Sequence, residues 1–291
     1  MRYDITRIYC LLDDFCKTYE EWERARLITS GRSRHRVGLL SLSEMLTIMV
    51  CFHLGEFKNF KYYYIYGVCT KHVKCFKQLP CYDRFLQLMP RLFVPFMVIL
   101  HSLSGEKTGI YFADATKLVA CHNKRISQNR VFKGMAARGK SSMGWFYGFK
   151  LHIVINHKGE IMAVRITRGN VDDRTPLSEM TKALEGSLYA DKGYISKKLF
   201  KTLYARGLKL VAGIKKNMKN ILMPLADKLM LRKRSIVETI FEILKHDMNI
   251  DHSRHRSPIN AFVSVLAAIC AYALRKNKPN IGGNSAILIH S

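Results

Sequence analysis

Acidic side chains are scarce in this 291-residue chain: 22 Asp and Glu stand against 48 Lys and Arg, a formal net charge of +26. A surface this basic repels itself, so solubility alone is a poor reason for it, and a polyanion is the expected partner. A nucleic acid comes first, and an anionic membrane surface is a weaker option. Long hydrophobic runs are also missing. The longest, residues 92 to 100 (broken by Pro95) and 261 to 274, fall short of the roughly 18 to 20 residues that span a bilayer, so no transmembrane helix is expected. Met1-Arg2-Tyr3-Asp4 leads into a charged segment with neither an apolar signal core nor a small-residue cleavage site, so the expected location is the cytoplasm. None of the eight cysteines forms a Cys-x-x-Cys pair, which argues against a zinc site and for free thiols. Cys69, Cys75 and Cys81 flank His72, but their even six-residue spacing matches no familiar metal site, and they read as packing residues. Internal repeats and low-complexity segments are absent, and 48% hydrophobic residues are ample for one large domain or two ordinary ones.

Residues 1 to about 104 read as helical. Ser41 and Glu44 form a capping-box pattern ahead of the apolar run 45 to 54, which stops at Gly55. A second helix is expected over 57 to 66, with Phe60, Tyr63 and Tyr64 among Lys58 and Lys61, and a third over 82 to 89, closed by Pro90. Such a bundle suits a DNA-end-reading module of the helix-turn-helix kind, although aromatic residues at helical spacing serve equally well as core. The character changes at Gly105. A β-prone run ends in Asp114; 150 to 156 and 161 to 167 form a hairpin around Asn156-His157-Lys158-Gly159; 176 to 184 is helical. A strand over 187 to 190 meets Asp191, a helix covers 196 to 206, a strand 208 to 213, and a long helix 231 to about 246. This order predicts a mixed α/β layer with its sheet covered by helices.

Asp114 ends the first strand of this region and Asp191 ends the fourth, so both are expected at an edge of the sheet, and Glu238 sits on the last helix. Three carboxylates are a common minimum for holding hard cations, two of which, about 3.5 to 4 Å apart, stabilise both oxygens of an in-line phosphoryl displacement. Arg234, Glu238 and Lys245 share one helical face, where the two cations suit phosphates on either side of a scissile group. The same spacing also describes a surface ion pair of Arg234 with Glu238, and spacing alone favours that plainer reading. Asp172 and Asp173 follow a Gly-Asn turn and precede a helix, where capping is the ordinary task of an aspartate. Residues 121 to 149 carry Lys124, Arg125, Arg130, Lys133, Arg138 and Lys140 without one acid, interleaved with Phe132, Trp145, Phe146 and Tyr147. Cations that neutralise phosphates beside rings that stack on bases suit a nucleic-acid backbone; the alternative is a basic loop with its aromatics tucked into the sheet. Residues 215 to 219 form a second basic stretch.

Several motifs together carry a family likeness: Ser41-Leu42-Ser43-Glu44, Tyr111-Phe112-Ala113-Asp114-Ala115-Thr116, Val131-Phe132-Lys133-Gly134, Gly169-Asn170-Val171-Asp172-Asp173-Arg174, Asp191-Lys192-Gly193-Tyr194-Ile195 and Arg234-Ser235-Ile236-Val237-Glu238. Over nearly its whole length the chain resembles bacterial insertion-sequence transposases of the DDE class, most closely the insertion-sequence 982 family. The resemblance implies an α/β, RNase H-like catalytic domain over 105–278, preceded by an all-helical DNA-end-binding domain over 1–104 and followed by a tail over 279–291. It also implies a triad of Asp114, Asp191 and Glu238 holding two Mg²⁺ or Mn²⁺ ions, with Asp114 bridging both. Related enzymes carry Tyr-x₂-Arg-x₃-Glu-x₆-Lys on the last helix; Arg234, Glu238 and Lys245 match, while Leu231 stands in place of the tyrosine. The implied partners are DNA, both the element's terminal inverted repeats and its target, and further copies of the chain; no membrane is implied. The implied chemistry is cleavage at the element's ends followed by strand transfer. A nuclease of the same fold and a non-catalytic DNA-binding protein are the rivals.

Overall fold

The computed structural model describes residues 3–26, 38–141, 144–214, 222–251 and 255–281, and the chain divides into two units. One comprises Met1–Ser102 with His246–Leu274, the other Leu103–Lys245 with Arg275–Ser291. A boundary therefore lies close to the change of character expected at residue 105. The stretch 246–274, expected within a domain spanning 105–278, instead belongs with the N-terminal helices, because its apolar helix packs among them.

In the first unit, α1 (Ile5–Arg26) begins at Asp4, whose carboxylate accepts the N–H groups of Thr6 and Arg7. It buries Ile8, Leu12, Cys16 and Tyr19, a single stripe at helical spacing. The capping box heads α2 (Leu42–Leu54) as expected: Glu44 N–H donates to Ser41 Oγ at 3.1 Å, and Ser41 N–H donates to the Glu44 carboxylate at 2.7 Å. From Met45 to His53 every residue of α2 is buried, which marks a central helix. α3 (Phe60–Tyr62) runs into a π-helical stretch, Tyr63–Lys71. Tyr63 and Tyr64 are core residues: both are fully buried, packed with Phe60 and its neighbours, and the Tyr64 hydroxyl donates to the Pro80 carbonyl.

Pro90 does not close the next helix. α4 (Tyr82–Leu88) passes through a 3₁₀ turn, Met89–Leu92, into α5 (Phe93–Ser102). Proline is tolerated there because the first turn of a helical segment needs no intrahelical N–H. Counted as one helical stretch, Tyr82–Ser102 is, by length and composition only, long and apolar enough to cross a membrane (mean hydropathy 1.4). Phe85, Met89, Leu92, Phe96 and Ile99 nevertheless form one buried face, the pattern of a core helix. The C-terminal helix, Pro258–Ala273, packs against α2 and α5, and its Asn260 donates to the Leu86 carbonyl.

The second unit is a six-stranded mixed sheet. β1 (Ile110–Cys121) lies between β3 (Gly144–Asn156), antiparallel to it, and β5 (Gly186–Ala190), parallel to it; β6 (Leu208–Ala212) extends the parallel side. The far edge of β3 pairs first with β2 (Ala137–Ser141), a strand not anticipated from sequence, and then with β4 (Ile161–Arg168) across the expected hairpin. α6 (Arg174–Met180) and α7 (Lys197–Tyr204) cover one face, burying Leu177, Leu199 and Leu203 on Tyr111, Ala113, Leu188 and Ala190. α8 (Leu225–Lys233) and α9 (Ser235–Glu242) lie against β5, β6 and β1. Strand alternation turns Phe112, Asp114 and Tyr189 away from the α6 and α7 core, and Phe112 stacks on Tyr189 there. Tyr189 and Lys209 both bond Asp227 of α8, at 2.9 and 2.7 Å, which fastens that helix to the sheet.

Candidate active site

The parallel register of β1 and β5 ends with Ala113 beside Ala190. Asp114 and Asp191 are the next residues of adjacent strands, where neighbouring backbones run about 4.8 Å apart. Asp114 does not end its strand as expected. β1 continues to Cys121 because β3 goes on pairing with it, while β5 stops and Asp191 leads into a 3₁₀ turn, Lys192–Tyr194. The two carboxylates thus sit at a fork, held by a strand that stays in the sheet and one that leaves it.

Glu238 reaches the same region from α9. The single helix expected over 231 to about 246 is broken at Arg234, which ends α8 and begins α9, and it widens into a π-helical turn over Ile243–Asp247. That turn rotates Lys245 away from the phase that an unbroken α-helix gives it relative to Glu238. Arg234 joins two of the three acids: Nη1 donates to Asp114 Oδ2 at 2.9 Å and Nη2 to Glu238 Oε1 at 2.8 Å. The plain i, i+4 ion pair is therefore present, with Asp114 added to it. Burial raises the Asp114 pKa above the ordinary carboxylate value; the Ala115 N–H and Arg234 pull it down, while Asp191 and Glu238 push it up. All three acids therefore share one electrostatic neighbourhood.

Four further residues belong here that the sequence reading set aside or did not single out. Asp173 heads α6 but makes no capping bond from its side chain; its Oδ1 accepts from Lys150 Nζ at 2.9 Å and lies 4.0 Å from His152 Nδ1. Lys150 also donates to the Val171 carbonyl, so it straps the turn to β3. That turn comes close because Gly169 has no side chain: a Cβ there would lie 2.7 Å from the Ala137 carbonyl oxygen. His152 is buried, bonds Thr167 Oγ1 through Nε2 at 2.8 Å, and has its pKa lowered to about 4 by burial. Tyr194, from the Asp-Lys-Gly-Tyr motif, is buried with its phenol pKa raised by burial and then by Asp114, Asp173 and Asp191. A lysine and a histidine alternating on an otherwise apolar strand were the signal for Lys150 and His152. Asp172 keeps a turn role: it accepts the Arg174 N–H and pairs with its guanidinium, which holds its pKa down at about 2.

Lys124, Arg125, Arg130, Lys133, Arg138 and Lys140 are all exposed. Their interleaved aromatics divide: Phe132, Phe146 and Tyr147 are buried, whereas Trp145 is 55% exposed. On the β2 and β3 hairpin, the Arg138 guanidinium and the Lys140 ammonium lie 5.5 and 5.8 Å from the Trp145 ring centre. The basic stretch 215 to 219 lies outside the described residues, as does the tail beyond 281. All eight cysteines are free thiols; Cys16, Cys51 and Cys270 are buried, but Cys69, Cys75 and Cys81 are exposed rather than packed.

Asp114, Asp191 and Glu238 supply only oxygen donors, the set a hard divalent cation prefers. Among the described residues no three His, Cys, Asp or Glu side chains already converge on a single ion. Glu238 is 55% exposed and Asp191 is exposed as well, whereas the Asp114 side chain is 22% exposed.

A family model described as Transposase DDE domain matches residues 104–258, more than half of the chain. Among solved structures, the cryo-EM structure of a piggyBac transposase synaptic complex with hairpin DNA is similar at 14% identity and a TM-score of 0.38, over 76% of this chain and 53% of that one. The chain thus spans about half the length of that transposase. No curated protein is a significant match. With its acids gathered at the strand fork inside the matched region, the chain belongs to the Transposase DDE domain family.

Proposed function

We propose that this chain is an insertion-sequence transposase of the insertion-sequence 982 kind, with an RNase H-like catalytic unit, acting on DNA in the cytoplasm. The observation that carries the reading is the side-by-side placement of Asp114 and Asp191 at the fork, with Glu238 tied to Asp114 through Arg234. Asp114, Asp191 and Glu238 would hold Mg²⁺ or Mn²⁺, two ions by analogy with related enzymes, which polarise the scissile phosphate and the attacking oxygen. Arg234 and Lys245 would bind phosphates flanking the scissile bond. Lys124, Arg125, Arg130, Lys133, Arg138 and Lys140 would neutralise the backbone beyond it, and Trp145 offers an exposed ring beside them. Lys150 would brace the turn that carries Asp173, and Asp173 shares with Asp114 and Asp191 the electrostatic surroundings of Tyr194. Cleavage would place a 3′-hydroxyl at the element's terminal repeat, and that hydroxyl would then attack target DNA, the helical unit helping to hold the ends within a homo-oligomer.

The test is Mg²⁺-dependent cleavage and strand transfer on DNA carrying the element's own ends, comparing the protein with Glu238→Ala. Loss of a positioned carboxylate is expected to lower both steps by roughly 10³-fold or more, with DNA binding retained. Cleavage without joining would identify a nuclease instead. Equal, activity-free binding by both proteins would leave only a DNA-binding protein.

A further inference from the structure

Arg234 makes its two bonds with the oxygens a divalent cation would need. Its Nη1 sits 2.9 Å from Asp114 Oδ2 and its Nη2 2.8 Å from Glu238 Oε1, so one planar fork spans two of the three acids. Arg234 stands at the turn between α8 and α9, where no side chain caps α9, and its side chain is 20% exposed. The side chain thus keeps some contact with solvent, the side from which a phosphate would approach. A guanidinium fork matches a phosphate as well as it matches a carboxylate, whereas a divalent ion on the same carboxylates is repelled by it at close range.

We infer that Arg234 and the divalent cation compete for Asp114 and Glu238, and that a DNA phosphate, by drawing Arg234 off, opens the acid cluster to metal. The inference rests on the triad reading above and adds an order to it: DNA first, full metal loading second. Linkage makes the coupling reciprocal, so metal also strengthens the Arg234 contact with DNA. An enzyme built this way keeps its cutting centre closed by its own arginine until a substrate backbone arrives.

The experiment measures Mn²⁺ binding to the full chain by electron paramagnetic resonance of the free ion, with Arg234→Gln, Arg234→Lys and Asp114→Asn alongside and circular dichroism to verify folding. Without DNA, both arginine variants are expected to bind Mn²⁺ on the order of tenfold more tightly than the unaltered protein, the scale of one charge-assisted hydrogen bond. Lysine keeps the charge but not the fork, so tightening in Arg234→Gln alone reports simple charge repulsion and overturns the bridging role. With a short DNA duplex added and Mn²⁺ on DNA alone subtracted, the unaltered protein should approach the variants' affinity while they gain less. If neither arginine variant tightens but Asp114→Asn weakens binding, the competition is refuted and the triad reading stands. If Asp114→Asn leaves Mn²⁺ binding unchanged, the triad reading fails and takes this inference with it.

Discussion

The two units differ in where their part-buried charges lie. In the helical unit buried polar side chains such as Thr47 and His53 bond backbone: Thr47 Oγ1 donates to the Ser43 carbonyl, and His53 Nδ1 lies 2.6 Å from the Met248 carbonyl oxygen. Packing there is aromatic, with Phe60, Tyr64, Tyr82 and Phe85 in mutual ring contact. In the sheet unit, half-buried charges gather around one fork, and burial holds the Asp114 pKa up against the pull of the Ala115 N–H and Arg234, with Asp191 and Glu238 adding to the rise. Like charges brought together destabilise a fold, so the contrast separates a unit optimised for packing from one that bears strain at a site.

The sharpest test of that contrast is a pair of substitutions. Phe85→Ala removes a fully buried ring from the aromatic cluster and should cost about 3 to 5 kcal/mol in urea unfolding. Asp114→Asn keeps the shape; it relieves repulsion from Asp191 and Glu238 while weakening the bond from Arg234, and because the two changes oppose each other stability should stay within about 1 kcal/mol of the unaltered protein. A cost for Asp114→Asn as large as that for Phe85→Ala would make the fork's charges structural and end the comparison.

Acid should weaken both units alike. His53 and His152, one in each unit, are buried with pKa values lowered from 6.5 to about 4, chiefly by burial. Above pH 6.5 both are neutral folded and unfolded. Below it the unfolded chain takes up protons that the folded chain refuses, so stability falls as pH drops from 6.5 towards 4. Each histidine contributes roughly 3 kcal/mol to that loss. Urea melts at half-unit pH steps measure it, and His152→Gln should flatten the slope; an unchanged slope would assign the acid sensitivity elsewhere. The smallest effect belongs to the helical unit: Ser41→Ala deletes the N-cap acceptor of α2 and should cost about 1 kcal/mol. A null result there would show that the apolar surface of α2 fixes its start without help from the cap.

Local signals were legible in proportion to how local their physics is. The capping box at Ser41, the hairpin at Asn156 and the strands leading to Asp114 and Asp191 depend on neighbours in sequence, and each was readable there. The turn at Arg234 was not, because Arg234, Glu238 and Lys245 fall on one face of a single helix over 231 to about 246 equally well. Asp173 was misassigned for a similar reason: an aspartate ahead of a helix normally caps it, and only Lys150, folded across from β3, gives this one another partner.

By itself the sequence determined a strongly basic, two-part chain, helical first and α/β second, with three acids in a recognisable order. Composition, capping and strand alternation act over a few residues, so they leave their mark on the linear string. Tertiary structure alone decided that β5 stops where β1 continues, that Arg234 bridges Asp114 and Glu238, and that the helix at 258–273 belongs with the N-terminal helices. Those outcomes depend on which distant surfaces bury one another, and hydrophobic burial is non-directional: it leaves no local pattern from which the partner can be read.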